Sequence, residues 1–295
     1  MPSRLLRPPR SPRTAASMVV LGAVAVQWSA ALVAPVFDAI GPAATSSWRF
    51  LIGAVILLLA TRPSVRGWTR RQWMAVFALG LSTVFMNQTF FQAIDRINLG
   101  TAVAIEYMGP FLVAALGKRS WRHFAWVVTA LAGVLLLAHP SGAVNWSGLF
   151  FAVCAAAGWA AYAFASHFAG DATSGFGGLA VAMAVGAVVT FPLFPGSVTT
   201  LTHSGLVPRM IIASLLAVVI GFGAEMQALR GLPPSIVSVL LAGNPAVAFA
   251  VGYIVLRQPI TFSDIVGTLF VAAAGIAVTR EASKNEASVS PPPAP

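Results

Sequence analysis

Charged residues are scarce in this sequence. Only 9% of its 295 residues are Asp, Glu, Lys or Arg, and 58% are hydrophobic, whereas soluble domains carry roughly 25% charged residues. A soluble core of this length cannot hide so much apolar surface, so lipid must solvate most of the side chains. Because hydrocarbon offers no partner for free backbone groups, each spanning segment is expected to be a helix.

Residues that hold metals or form disulfides are also rare. The single cysteine, Cys154, lies in an apolar run, which excludes a disulfide framework and leaves a small buried hydrophobe as its ordinary interpretation. The four histidines are scattered without ligand spacing, so no metal site is predicted. A GxxxxGK[ST] loop and a GxSxG elbow with a His partner are both missing, which argues against direct ATP drive and a serine hydrolase. We therefore expect no cofactor and no enzymatic activity.

The net charge of +10 does not indicate a nucleic-acid partner, because the basic residues lie between apolar runs and not in a folded basic domain. Lys and Arg in short loops resist translocation, so their distribution predicts orientation. With the N-terminus inside, three basic residues face outward, Arg49 lies within a span, and the other fourteen face the cytoplasm, where they rest on anionic lipid headgroups. This predicts a multi-pass protein of the cell inner membrane with both termini cytoplasmic. The fourteen are Arg4, Arg7, Arg10, Arg13, Arg62, Arg66, Arg70, Arg71, Lys118, Arg119, Arg122, Arg230, Arg280 and Lys284.

Ten apolar segments are long enough to cross a bilayer core, which needs about 20 helical residues. Residues 1–15 form a basic, Pro-rich cytoplasmic tail, and residues 280–295 are polar and end in prolines, which is typical of a disordered cytoplasmic tail. The predicted spans are 16–37, 43–60, 72–94, 99–116, 122–138, 147–168, 176–194, 208–228, 235–256 and 262–279.

An internal repeat joins the fourth and ninth spans. AIDRINLGTAVAIEYMGPFLVAAL begins at Ala93, and ALRGLPPSIVSVLLAGNPAVAFAV begins at Ala228, so that Pro110 aligns with Pro245 at the same offset of 135 residues (228 − 93 = 245 − 110). The shared order favours a duplication of five spans. A unit with an odd number of crossings must re-enter the membrane upside down. The sequence therefore predicts two inverted five-helix repeats, over 16–138 and 147–279, a plan that transporters use to hold substrate near the midplane.

Glu106 is the most informative candidate residue, since it lies about seven positions into the fourth span, or roughly 10 Å along a helix. A carboxylate at that depth should face a cavity, pair with a cation or stay protonated. Gly109 and Pro110 follow, and Asn244 and Pro245 occupy the matching place in the second repeat. Proline weakens a helix and frees carbonyl groups, so the two breaks predict a substrate site, although packing kinks and a structural ion pair with Arg49 remain alternatives.

Other polar and aromatic residues in the spans have two interpretations each. Arg49 could hold a substrate carboxylate by a bidentate contact or could fix helix packing. Asn87 and Gln88 could line the cavity or hydrogen-bond between helices. Three aromatic residues, Trp28, Trp159 and Tyr162, could form walls of the cavity or simply pack between helices. Glu225 is the last candidate, and its ordinary interpretation is an interfacial carboxylate.

Three stretches carry a family resemblance: GTAVAIEYMGPFLVAAL at 100–116, AEMQALRGLP at 224–233 and NPAVAFAVGYIVLRQPIT at 244–261. On these the chain resembles the drug/metabolite transporter superfamily with EamA-type repeats, and in particular its bacterial threonine/homoserine exporters. The resemblance covers about residues 16–280 and implies export of small amino acids in exchange for protons. It points to Glu106, to Gly109 and Pro110, and to Glu225. Asn244 departs from the pattern, because an acidic residue often precedes this proline in relatives.

The leading hypothesis is therefore a secondary exporter of small amino acids such as threonine or homoserine, with a small-molecule substrate, the proton as coupling ion and the bilayer as its surroundings. The oligomeric state stays open. The nearest alternative is export of another solute, such as an aromatic amino acid, a purine derivative or a drug. A membrane enzyme would need a cluster of nucleophile, base or metal ligands, and a passive scaffold or channel does not need inverted halves with matched breaks.

Overall fold

The computed structural model describes residues 12–109, 121–138, 145–172, 176–221, 224 and 240–289. The regular secondary structure in these ranges is helical, and they contain no β-strand. The all-α fold class predicted from the sequence is thus confirmed. The helices are α1 (Pro12–Val33), α2 (Phe37–Thr61), α3 (Arg70–Ile94), α4 (Leu99–Glu106), α5 (Trp121–Ala138), α6 (Trp146–Ala172), α7 (Phe176–Val189), α8 (Val198–His203), α9 (Val207–Ser214), α10 (Asn244–Leu256) and α11 (Phe262–Val289).

Three helical segments of the described chain are long and apolar enough to cross a membrane, judged by length and composition. They are Arg13–Thr61, Arg70–Ile94 and Trp146–Ser166, and the first of them contains two of the predicted spans. Shorter apolar helices occur where further spans are predicted, at Phe124–Leu137, Phe176–Val189, Val207–Gly221, Asn244–Leu256 and Phe262–Ala277.

The kink in α2 explains how one continuous segment contains two predicted spans. The backbone leaves helical geometry at Gly41, where φ is 78° and ψ is 157°, and Pro42 follows. Glycine tolerates this positive φ, and proline cannot donate the backbone hydrogen bond that a continuous helix requires. The chain therefore turns between the end of the first predicted span at 37 and the start of the second at 43.

Three features differ from the predicted spans. The helix α11 continues to Val289, ten residues beyond the predicted end of the tenth span at 279, so much of the tail expected to be disordered is helical. The short helix α8 lies in a segment predicted as a loop. The helix α9 changes into a π-helix over Leu215–Gly221, and π-helical turns occur frequently at functional sites.

Helix packing follows a regular scheme. The helix α3 packs against α6 and α7, while α9 with its π-helical segment packs against α1 and α2. The helix α4 contacts α6 and α10, and α10 also contacts α1. The remaining major pairs are α2 with α7 and α5 with α11. Contacts between early and late helices therefore dominate the described interior.

Two glycines allow α5 and α11 to cross closely. A Cβ built on Gly133 would lie 2.8 Å from the carbonyl oxygen of Gly267, and one built on Gly267 would lie 2.7 Å from the carbonyl oxygen of Gly133. Such small residues let helix backbones approach each other in a membrane, where van der Waals packing drives association. This crossing thus depends on the lack of a side chain at both positions.

We predict that Gly133→Ala destabilises the protein by about 1–3 kcal/mol, the usual effect of overpacking, measured as thermal unfolding in detergent. Gly196→Ala is the control, since a Cβ there meets nothing within 4 Å. Alanine is intrinsically the better helix former by about 1 kcal/mol. Stabilisation of that size by Gly133→Ala would show that the crossing is not tight.

Candidate functional site

A small cavity lies where four helices meet. It measures about 20 Å³, which is room for roughly one or two water molecules. The helix α2 contributes three residues to its wall, and α3, α7 and the π-helical segment after α9 contribute one each. The lining residues are Ser46, Arg49, Phe50, Asn87, Met183 and Val218. Two of the residues singled out from the sequence, Arg49 and Asn87, are thus brought together.

Arg49 occupies an interior position without a direct polar contact. Its guanidinium lies over the ring of Phe91 at 5.4 Å from the centroid, a cation–π arrangement. In the described part of the chain, this guanidinium has no hydrogen bond and no ion pair within 4.0 Å, and the ion pair observed there is that of Arg96 with Asp95. Its donors are therefore available to a ligand.

Glu106 is the acidic residue that acts electrostatically on Arg49. Its side chain is buried, with 8% exposed, and it interacts electrostatically with Arg49 although the two groups are not in direct contact.

Asn87 and Gln88 have different environments. The Nδ2 of Asn87 donates to the carbonyl of Thr83 within the same helix, at 3.0 Å, and Asn87 is one of the residues that line the cavity. The Nε2 of Gln88 donates to the carbonyl of Ala43 at 3.2 Å and to Oγ of Ser47 at 3.1 Å. Gln88 therefore forms hydrogen bonds between α3 and α2, which is the second of its two alternatives. Asn87 lines the cavity, which is the first.

The helices of the fourth and ninth spans are interrupted at matched places. The helix α4 ends in a turn at Tyr107, and the ninth span has a turn at Ala242 and Gly243 before α10 begins. The offset between the turns, 242 − 107, is again 135 residues. Pro245 is buried in the first turn of α10, where its missing N–H costs nothing. Pro110 lies outside the described residues.

Tyr107 joins these two interruptions, and it was not among the predicted site residues. Its hydroxyl accepts a hydrogen bond from Nδ2 of Asn244, which is buried, and its ring contacts Trp159 edge to face. Nearby, a Cβ on Gly109 would overlap the carbonyl of Ala156 in α6, so glycine is required for this close approach. Three predicted site residues, Gly109, Trp159 and Asn244, therefore surround the end of α4.

Of the other predicted residues that the structure describes, Glu106, Trp28 and Tyr162 do not line the cavity. Trp28 on α1 is 37% exposed, and Tyr162 packs with Trp68 and Trp73 against a separate apolar cluster of α3, α6 and α7. Glu225 lies outside the described residues. Among the described residues, no group of three or more His, Cys, Asp or Glu is placed to hold a metal ion.

Comparisons with known proteins agree with the resemblance seen in the sequence. Residues 146–280 match the EamA-like transporter family. The chain is 29% identical over 268 residues to the threonine/homoserine exporter RhtA of Salmonella typhimurium strain LT2, covering 89% of this chain and 90% of that protein. It is 28% identical over 276 residues to RhtA of Escherichia coli strain K12, covering 90% and 92%. The predicted similarity to EamA-type transporters is confirmed.

More distant matches point in the same direction. An uncharacterized transporter of Archaeoglobus fulgidus is 24% identical over 267 residues, covering 85% of this chain and 94% of that protein. A solved crystal structure superposes with a TM-score of 0.60 at 17% identity, covering 92% of this chain and 99% of that chain. At that identity the likeness concerns the fold alone.

We predict that Tyr107 and Asn244 are energetically coupled. In a double-mutant cycle of Tyr107→Phe and Asn244→Leu, each single change removes the hydrogen bond between them, so the double variant should lose less stability than the sum of the single variants. The expected coupling is about 0.5–3 kcal/mol, measured by SDS-induced unfolding in mixed micelles. Additive losses would mean that the contact contributes nothing to stability.

Proposed function

We propose that this chain, a relative of the EamA-like transporters, is a secondary active transporter of the cell inner membrane that exports small amino acids such as threonine or homoserine in exchange for protons. Ten spans in two inverted repeats, over 16–138 and 147–279, alternate access to a site between them, and both termini face the cytoplasm. The observation that carries the proposal is an acidic and a basic side chain held apart in the interior: Glu106 is buried, Arg49 is half-buried, and the two are not in direct contact.

Helix packing supports the inverted repeat. In this scheme each helix of the first half has a counterpart five spans later: α1 with α6, α2 with α7, α3 with α9, α4 with α10 and α5 with α11. Exchanging every helix for its counterpart turns the contact of α3 with α6 into that of α9 with α1. It also turns α3 with α7 into α9 with α2, and α4 with α6 into α10 with α1. All of these contacts are present, and the pairs α2 with α7, α4 with α10 and α5 with α11 map onto themselves.

Two glycine contacts repeat the relation at the level of single atoms. A Cβ on Gly53 of α2 would lie 3.1 Å from Cγ2 of Val218, and a Cβ on Gly186 of α7 would lie 3.2 Å from Cγ2 of Val84 in α3. The offsets between equivalent members are 133 (186 − 53) and 134 (218 − 84), close to the 135 of the sequence repeat. This is the relation expected of a pseudo-two-fold axis in the membrane plane.

The position of the cavity supports a site between the halves. Its walls come from α2 and α3 of the first half and from α7 and the π-helical segment of the second. A cavity this small does not admit an amino acid, so the described conformation fits a closed state. Opening by relative movement of the halves would enlarge it towards one side of the membrane at a time.

The two charges support an amphoteric substrate and proton exchange. A free amino acid carries a carboxylate, which Arg49 can bind bidentately, and an ammonium group, which Glu106 can bind. A proton and an ammonium group compete for one carboxylate, because holding both would leave an uncompensated positive charge away from water. Glu106 would therefore release its proton when it binds substrate. The names of the RhtA relatives supply the specific amino acids.

Transport by the purified protein in proteoliposomes is the direct test. We predict that labelled homoserine or threonine accumulates against its gradient by counterflow and that an acidic opposite compartment accelerates its release. A substrate panel with aromatic amino acids, purine derivatives and drugs separates the proposed substrates from other solutes. Counterflow of one of those solutes, without counterflow of threonine or homoserine, would contradict the amino-acid assignment.

We predict that Glu106→Gln abolishes acceleration by acid, because a neutral amide of the same shape cannot exchange a proton. Asp95→Asn is the matched control, since Asp95 pairs with Arg96 in a partly exposed position and should leave the pH profile unchanged. The measurement is the initial rate of homoserine efflux against external pH. A wild-type pH profile in Glu106→Gln would remove the proposed proton role.

A further inference from the structure

Ser46 is a buried hydroxyl without a hydrogen-bond partner. Its side chain is fully buried, and Oγ has no partner in the described structure. Its neighbours differ: Oγ1 of Thr45 donates to the carbonyl of Gly41 at 2.8 Å, and Oγ of Ser47 donates to the carbonyl of Ala43 at 2.8 Å. Bonding four residues back is the usual way in which Ser and Thr are satisfied inside a helix. The exception at Ser46 therefore calls for an explanation.

Ser46, the residue that carries this hydroxyl, lies in the wall of the cavity. Ser46, Arg49 and Phe50 are spaced at i, i+3 and i+4, so they share one face of α2, and all three line the cavity with Asn87. One N–H of the Asn87 amide donates to the carbonyl of Thr83, and the side-chain oxygen of Asn87 can serve as an acceptor. The cavity wall thus contains a serine, an asparagine and an arginine.

The rest of the wall is apolar and limits the size of what can bind there. Met183 from α7 and Val218 from the π-helical segment face the polar side chains across the cavity, and Phe50 adjoins them. These side chains offer no hydrogen bond. A ligand group that fits should therefore be short, with one polar end directed towards α2 and α3.

We infer that Ser46, assisted by the side-chain oxygen of Asn87, is the subsite that recognises the side-chain hydroxyl of a hydroxy amino acid. The inference rests on the proposed function and deepens it, because it names what distinguishes the substrate from other small amino acids. Arg49 binds the substrate carboxylate, and Ser46 and Asn87 bind the hydroxyl a few ångströms along the same face. Ser46 is a specificity residue in this arrangement.

Valine is the appropriate comparison substrate, because it has the shape of threonine with a methyl group in place of the hydroxyl. A site that hydrogen-bonds a hydroxyl rejects the analogue that lacks it, since its own polar groups are then left unpaired. A hydrogen bond to a neutral hydroxyl corresponds to a preference of about three- to tenfold.

The test measures kcat/KM for threonine and for valine in proteoliposomes with wild type, Ser46→Ala and Ser47→Ala. We expect the wild type to favour threonine by about three- to tenfold in kcat/KM. Ser46→Ala should lose this preference because its kcat/KM for threonine falls. Ser47→Ala is the matched control, since its hydroxyl is buried on the same helix but bonded to Ala43 and Gln88, and it should keep the preference.

A second readout separates binding from folding. Removing an unsatisfied buried hydroxyl should leave the melting temperature of the substrate-free protein unchanged or higher, whereas Ser47→Ala should lower it. Asn87→Ala should reduce the preference for threonine independently. If threonine is still preferred in both Ser46→Ala and Asn87→Ala, the subsite is wrong while amino-acid export stands. If the wild type transports neither amino acid, the proposed function fails and the subsite fails with it.

Discussion

An acidic and a basic side chain held apart in an apolar interior are the constraint around which this protein is arranged. Arg49 and Glu106 interact electrostatically without touching, and the described structure gives neither a hydrogen-bond partner. Direct contact would satisfy both groups and leave little for a ligand, while complete separation would make each charge very costly in lipid. The observed arrangement avoids both extremes. The proposed function depends on an amphoteric molecule that binds to both groups.

The packing of the helices explains why such a gap can exist. Broken helices are tolerated at membrane depth when they are buried in protein, and the turn at Tyr107 is held by Asn244 and Trp159 from the other half. The close approach of Gly109 to Ala156 leaves little freedom at this junction. In the proposed two-fold scheme, this contact between the halves would have to rearrange whenever access alternates, which makes it a point where stability and transport are coupled.

The sequence predicted more of the fold than of the site. The predicted first and second spans end and begin on either side of the kink at Gly41, and the break predicted at Asn244 and Pro245 lies next to the observed turn. Both could be predicted because backbone chemistry at glycine and proline acts locally. Glu106 was conspicuous because a carboxylate is rare in an apolar run. Tyr107 was not, since an aromatic residue in a span is ordinary and its partner Asn244 is 137 residues away.

Ser46 was not predicted as a site residue, for a related reason. A hydroxyl in a helix usually bonds to its own backbone, as Thr45 and Ser47 do here, and the pattern TSS does not indicate which member is the exception. The helix α11 was predicted too short because its last turns are polar, and polarity marks the end of a span but not the end of a helix. In both cases the missing information concerns three-dimensional neighbours.

The most direct test of the central claim is a difference infrared spectrum of the reconstituted protein with and without homoserine. If Glu106 exchanges a proton for the substrate's ammonium group, homoserine should remove the carbonyl stretch of one protonated carboxylic acid, and this change should be absent in Glu106→Gln. If homoserine binds without altering any carboxyl band, or if the band change persists in Glu106→Gln, the exchange at Glu106 is contradicted.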